Sequence, residues 1–271
     1  VHQANNGVES SRVVVFSLTP GTRDPHYAEA KPSMIRRVHR ADLLLMIGAD
    51  IEIGWLPPLL QAARNSKIQP GAPGLLDLSR AVALKGVPDR PVTRAMGDVH
   101  RRGNPHYWLD PENGVLMARA VAARLGELDE PGATGYAARA QALAARIHAK
   151  LPVWRQAVAP LKGKPVIAYH TSFMYLADAL GFTIADEVEP KPGIAPSAAH
   201  LNQLIARIER EHIGLLILEP YYERRSGEYL NERTGIRVAI IPQSVGALPG
   251  IKTYTGLFDA MVAALMANGG N

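Results

Sequence analysis

PVIAYHTSFMYLADALGFTIADEV, residues 165–188, decides the fold class. Val166–Tyr169 reads as a short buried strand, Ser172–Leu180 as a helix, and Thr183–Val188 as a second strand. The alternation continues with a helix at Ser197–Glu211, a strand at Ile213–Leu218, a helix at Arg225–Thr234, a strand at Arg237–Ile241 and a last helix near Tyr254–Ala267. Strands that alternate with helices argue for a parallel sheet covered by helices, because a parallel connection needs a crossover.

The N-terminal half repeats this architecture without repeating its residues. Arg12–Leu18, rich in β-branched residues and stopped by Thr19-Pro20-Gly21, reads as a buried strand. Pro32–Val38 suggests a short helix, Ala41–Ile47 a second buried strand, and Trp55–Ala63 a helix entered through Pro57-Pro58. Residues 71–103 are rich in Gly, Pro, Asp and Arg and read as a surface excursion with one short strand or turn near Leu75–Leu78. Val115–Leu128 has helical spacing, with Asp110 or Asn113 available as caps. Ala133–Leu161 is dominated by strong helix formers and predicts a helix far longer than the mean of about 12 residues, which Pro152 should bend or divide. The expected organisation is an N-terminal α/β lobe over 1–130, a connecting long helix over 131–161 and a C-terminal α/β lobe over 162–271.

Composition narrows the function classes. The 271 residues are 47% apolar and 20% charged, ordinary for a folded chain. The net charge of +5 is spread in pairs such as Arg36-Arg37 and Arg101-Arg102, not in the stripe that a nucleic-acid surface needs, so no nucleic-acid partner is expected. With no cysteine there is neither a disulfide framework nor a thiolate site, and any metal must be held by His, Asp and Glu. No apolar run approaches the roughly 20 residues that cross a bilayer. The chain starts at Val1-His2-Gln3 without a charged-then-apolar leader, which reads as a removed signal peptide or a start inside a longer protein.

Three histidines stand out. Asp24-Pro25-His26-Tyr27 and Asn104-Pro105-His106-Tyr107 each plant an imidazole on a proline-stiffened turn, and His170 ends the apolar run from Pro165. Imidazoles at the tips of separate elements are what a borderline transition metal requires. His2 sits by the terminus, His39, His148, His200 and His212 fall in or at the ends of helices, and His100 lies in the charged excursion; surface or core roles suffice for these. Glu189, in a Pro-bounded loop after a strand, and Glu219, at the end of another, offer carboxylates that could equally cap a helix or pair with a base.

Taken together, several stretches resemble the zinc/manganese-binding solute receptors of bacterial ABC importers, also called metal-binding lipoproteins or adhesins. They are Pro20–His26 with Lys31-Pro32-Ser33, Ala41-Asp42-Leu43 with Gly48, Asn104–Pro111, Tyr169-His170, Pro196-Ser197, Glu219-Pro220 and Glu232–Gly235. The resemblance implies two α/β lobes joined by a long backbone helix, with a metal site in the interlobe cleft. It implies that His26, His106 and His170 are metal ligands and that the cargo passes to a membrane permease, in the periplasm or another extracytoplasmic place, with or without a lipid anchor. The protein is expected to act as a monomer and not as an enzyme. The family's usual fourth ligand, an Asp followed by Pro after a late strand, is missing from Ile241-Pro242-Gln243-Ser244, and the histidine-rich loop of zinc members is absent between Gly71 and Gly103. Glu189 is the preferred fourth ligand, with Glu219, Gln243 or a water as alternatives.

Three neutral imidazoles and at most one carboxylate favour Zn²⁺, with Mn²⁺ second because its sites are richer in oxygen. A zinc hydrolase is the rival class, but no His-Glu-x-x-His helix occurs, and the few aromatic residues disfavour a haem or metal-chelate receptor. Ligands from both lobes with a stiff connecting helix imply modest closure on binding rather than a wide clamshell. Imidazole binds metal only when neutral, so zinc affinity is expected to fall as pH drops through about 6.5. Zinc titrations at acid and neutral pH check this.

Overall fold

The computed structural model describes residues 12–89, 91 and 99–267. Helix α1 (Pro32–Arg40) starts with proline at its first position, where a missing N–H costs nothing. Strand β1 (Leu44–Met46) leads through a turn to α2 (Leu56–Ala63), and β2 (Leu75–Asp77) pairs with β1 in parallel to give a two-stranded sheet. The Arg12–Leu18 run, expected as a buried strand, pairs with no strand among the described residues, and Val14, Val15 and Phe16 are exposed. Contacts at its two ends hold it instead: the Arg12 guanidinium grips the Asp129 carboxylate at 2.6 Å, and Arg37 lies 4.9 Å over the Phe16 ring. Without a ladder partner Val14 and Val15 stay exposed and Val13 is only half-buried.

Helix α3 (Pro111–Leu128) begins a turn earlier than its apolar spacing suggests, because Asp110 accepts a hydrogen bond from the Glu112 N–H at 2.9 Å and Pro111 fills the first position. Helix α4 (Ala133–Ala157) spans 25 residues, roughly 37 Å at the α-helical rise. It is not divided at Pro152. Tyr136, Ala140, Ala144, Ile147, Leu151 and Trp154 keep one buried stripe through the proline, which itself sits on the exposed side. Stacking of Trp154 on Phe258 at 5.1 Å and the bond from Trp154 Nε1 to Asp259 Oδ1 at 2.8 Å fix the turn beyond it. Such contacts offset the roughly 3 kcal/mol that an interior proline costs.

The C-terminal half follows the expected alternation. Strand β3 (Pro165–Ala168), α5 (Met174–Leu180), β4 (Thr183–Glu187), α6 (Ala198–Glu211), β5 (Leu215–Leu218), α7 (Arg225–Thr234), β6 (Arg237–Ile240) and α8 (Tyr254–Met266) succeed one another. The four strands are parallel in the order β4-β3-β5-β6. Side chains of a strand alternate between faces. Val166, Ala168, Leu215 and Ile217 pack with Trp154, Phe173 and Phe258, while Ile167, Leu216 and Leu218 pack with Leu204, Ile208 and Leu230. Helices therefore cover both faces, which is why these strands read as unbroken apolar runs. Because β3 has β4 on one side and β5 on the other, the chain reverses its winding there, and a crevice opens at the carboxyl ends of these strands. His170, Glu189, Glu219 and Gln243 all lie one to three residues beyond the ends of β3, β4, β5 and β6.

Gly114 lets α8 approach α3. A Cβ there would come within 2.3 Å of the Tyr254 ring, whose hydroxyl donates to Trp108 O at 2.7 Å and so cannot withdraw freely. Gly114→Ala gains about 1 kcal/mol in helix propensity but meets an overpacking cost of about 1–3 kcal/mol. The expected net result is a loss of stability in urea unfolding; a gain would contradict this packing.

Candidate metal centre

The two Asx-Pro-His tripeptides fold in the same way. Asp24 Oδ1 accepts the backbone N–H of His26 at 2.9 Å and its ring Nδ1–H at 2.7 Å. Asn104 Oδ1 accepts the backbone N–H of His106 at 2.9 Å and its ring Nδ1–H at 3.0 Å. An Asx side chain that turns back onto the residue two positions on makes a tight local turn, and the proline between them fixes φ. The Asn104 amide is oriented by its other end, which donates to Thr171 O at 2.7 Å. The third ring reaches the same state by tertiary contact: His170 Nδ1 donates to Glu189 Oε2 at 2.7 Å, and that oxygen also accepts the Gly193 N–H at 2.9 Å. Carboxylate and amide oxygens only accept, so each Nδ1 carries a hydrogen, and in a neutral ring that leaves the lone pair on Nε2.

One ring nitrogen from each of His26, His106 and His170 lies within 4.8 Å of the others. The ring centroids are 5.2 Å (His26–His106), 5.3 Å (His106–His170) and 5.5 Å (His26–His170) apart. His106 is 1% exposed, and its Nε2 is buried without a hydrogen-bond partner. A buried lone pair left without a donor is costly unless something occupies the point it faces. Burial, with the neighbouring histidines adding to it, pushes the His106 ring well below its ordinary pKa, so it stands neutral and able to coordinate. For Asp24, burial raises the carboxyl, but the hydrogen bonds from His26 outweigh it and the pKa is lowered, so the group is an anion beside its imidazole.

The other side chains that the sequence offers for a fourth position are each bonded to neighbours through at least one atom. Glu189 is bound to His170 and Gly193 through one oxygen. Glu219 is fully buried; its Oε1 accepts from Ser172 Oγ at 2.6 Å and Gln243 Nε2 at 2.7 Å, while its Oε2 has no partner. Burial raises its pKa to about 8, so the group is a neutral acid at pH 7. Gln243 Oε1 accepts from the Tyr221 hydroxyl at 3.1 Å, so both ends of this amide are occupied.

His100, which the sequence reading set aside, sits at this cluster. Its Nε2 is 3.1 Å from His26 Nε2 and the two rings stack with centroids 5.2 Å apart. The only local signal was its place three residues ahead of the turn glycine that leads into Asn104-Pro105-His106. His39, His148 and His200 are away from the site, bonded to Ala63 O, Glu112 and Glu187 O, and His212 is the left-handed cap of α6. His2 lies outside the described residues.

Residues 4–268 match the family model described as zinc-uptake complex component A, periplasmic. The chain belongs to this family. It is 27% identical over 276 residues to the high-affinity zinc uptake system protein ZnuA of Paracoccus denitrificans, covering 89% of this chain and 81% of that one. Against the metal ABC transporter substrate-binding lipoprotein SloC of Streptococcus mutans it is 22% identical over 237 residues, covering 86% and 74%. A crystal structure of ZnuA superimposes with a TM-score of 0.77 at 24% identity, covering 95% of this chain and 91% of the other, which supports the two-lobed α/β fold with its long helix. The protein is thus a solute receptor of the zinc-uptake family, and neither the family nor these relatives support a zinc hydrolase. No helix among the described residues is long and apolar enough to cross a membrane.

Glu219 gives a pH signature. Folding raises its pKa from 4.5 to about 8, so the stability that the neutral acid contributes is complete below the lower value and is lost as pH rises towards the upper one. The melting temperature of metal-free wild type should therefore fall more than that of Glu219→Gln between about pH 5 and about pH 8. Parallel curves would mean that Glu219 does not hold its proton in the fold.

Proposed function

We propose that this receptor captures Zn²⁺ outside the cytoplasm through His26 Nε2, His106 Nε2 and His170 Nε2 and hands it to an ABC-type permease. The observation that carries the reading is that all three Nδ1 atoms are held by side-chain oxygens while one ring nitrogen of each histidine lies within 4.8 Å of the others. A ligand imidazole whose other nitrogen is so held is fixed in tautomer and orientation. Asp24 and Glu189 stand behind the His26 and His170 rings as hydrogen-bond acceptors, where a carboxylate would strengthen each imidazole as a ligand. Glu189 on this reading supports His170 rather than filling a coordination position.

The donor set is rich in nitrogen, which favours zinc over manganese. Family membership supports the extracytoplasmic location and the permease partner. On this reading His26 and His106 belong to an N-terminal lobe and His170 to a C-terminal one, with helix α4 between them, so that binding would tie the halves together.

Metal analysis and competition titration test this. Wild type should bind one zinc, and the triple variant His26→Ala, His106→Ala, His170→Ala none; stoichiometric zinc in that variant rejects the assignment. Asn104→Ala and Glu189→Ala, with circular dichroism confirming their fold, should each weaken zinc binding by about 10- to 100-fold.

A further inference from the structure

We propose that His100 is the fourth ligand, so that the ion is held by four imidazole nitrogens. The proposal rests on the three-histidine reading above and adds a residue to it. Two nitrogens bound to one tetrahedral zinc at about 2.0–2.1 Å lie about 3.3–3.4 Å apart. His100 Nε2 and His26 Nε2 are 3.1 Å apart, close to that separation, with their rings stacked; His100 is not one of the three residues whose ring nitrogens all lie within 4.8 Å of one another, so its ring must close on His106 and His170 when it binds.

The protonation of the pair is dictated by its surroundings. His26 Nδ1 gives its hydrogen to Asp24, so His26 Nε2 is the acceptor and the hydrogen between the rings belongs to His100 Nε2. In the metal-free chain His100 thus covers the lone pair that the ion needs. When the ion arrives, the proton on His100 Nε2 moves through solvent to its Nδ1, the ring stays neutral, and Nε2 turns from donor to ligand with no net release of a proton. His100 is partly exposed, so solvent can carry this transfer.

The backbone around His100 is built to hold it there. The Gly103 N–H donates to His100 O at 3.2 Å, and the Asn104 N–H donates to Lys85 O at 2.7 Å. Gly103 adopts φ +113, and a Cβ there would meet Lys85 O at 2.7 Å, so only glycine fits the turn. Arg101 pairs with Asp50 at 3.4 Å and Arg102 with Asp77 at 3.0 Å, which tether the turn to the loop after β1 and to the last residue of β2. The same turn runs directly into Asn104, the residue that orients His106. One short segment therefore delivers two imidazoles to the site. The carboxylate and amide alternatives are already bonded to neighbours, Glu189 through Oε2, Glu219 through Oε1 and Gln243 through both ends of its amide, and none of them joins the converging ring nitrogens.

The test is a long-range ¹H–¹⁵N correlation spectrum of histidine-labelled protein with one equivalent of zinc, assigned with His100→Gln. Four Nε2 resonances, those of His26, His100, His106 and His170, should move to the zinc-coordinated position, and His100→Gln should leave three and weaken zinc binding at least about tenfold. If three move and His100 Nε2 does not, His100 is not a ligand and the three-histidine site stands. If none moves, both readings fall.

Discussion

The Nδ1 proton of each site imidazole is the constraint on which the centre depends. A free histidine in water exchanges its proton between two nitrogens and turns its ring freely. Here Asp24, Asn104 and Glu189 each remove that freedom with a single oxygen 2.7–3.0 Å away. Two of those oxygens come from two residues upstream in the chain and the third from the loop after a neighbouring strand. The difference matters for assembly: the Asp24 and Asn104 turns are local and can form early, whereas His170 is oriented only after β3 and β4 have paired. Convergence of the three lone pairs is then a property of the folded sheet and of the contacts between halves.

Those contacts cluster around the site. Asn104 Nδ2 reaches Thr171 O, Trp108 Nε1 reaches Gln243 O at 2.8 Å, and the Tyr222 hydroxyl reaches Asp24 Oδ2 at 3.3 Å. Each joins a residue of the N-terminal half to the mouth of the four-stranded sheet. Helix α4 adds a long element, with Leu151, Trp154 and the capping residue Val158 in the same core as β3, β5 and α8. The site is therefore held by short polar ties at its rim and by apolar packing behind it, an arrangement in which the rings are positioned before an ion is present.

Charge is distributed unusually for a dication site. No carboxylate converges with the three imidazoles among the described residues; Asp24 and Glu189 stand behind the rings, and Glu219 is kept neutral by burial. Gln243 occupies the strand-end position where the resemblance led one to expect an acid, and it is bonded to Glu219 and Tyr221. A neutral inner set with anionic support lowers the cost of leaving the site empty, since buried anions without an ion would repel one another.

By itself the sequence determined the alternation of strands and helices in the C-terminal half, the long helix, and the two Asx-Pro-His turns, because strand length, helical periodicity and an Asx side chain bonding two residues on are all local properties. It misled at Arg12–Leu18, where a β-branched run has strand propensity but no ladder partner, and Pro152 does not divide the helix, because one continuous buried stripe outweighs a local break. Only the tertiary structure decided that Glu189 lies behind His170 and that His100 lies against His26, 74 residues away. Both depend on where separate loops meet in space. Spacing along the chain carries no record of that meeting, because it is set by the packing of the two halves.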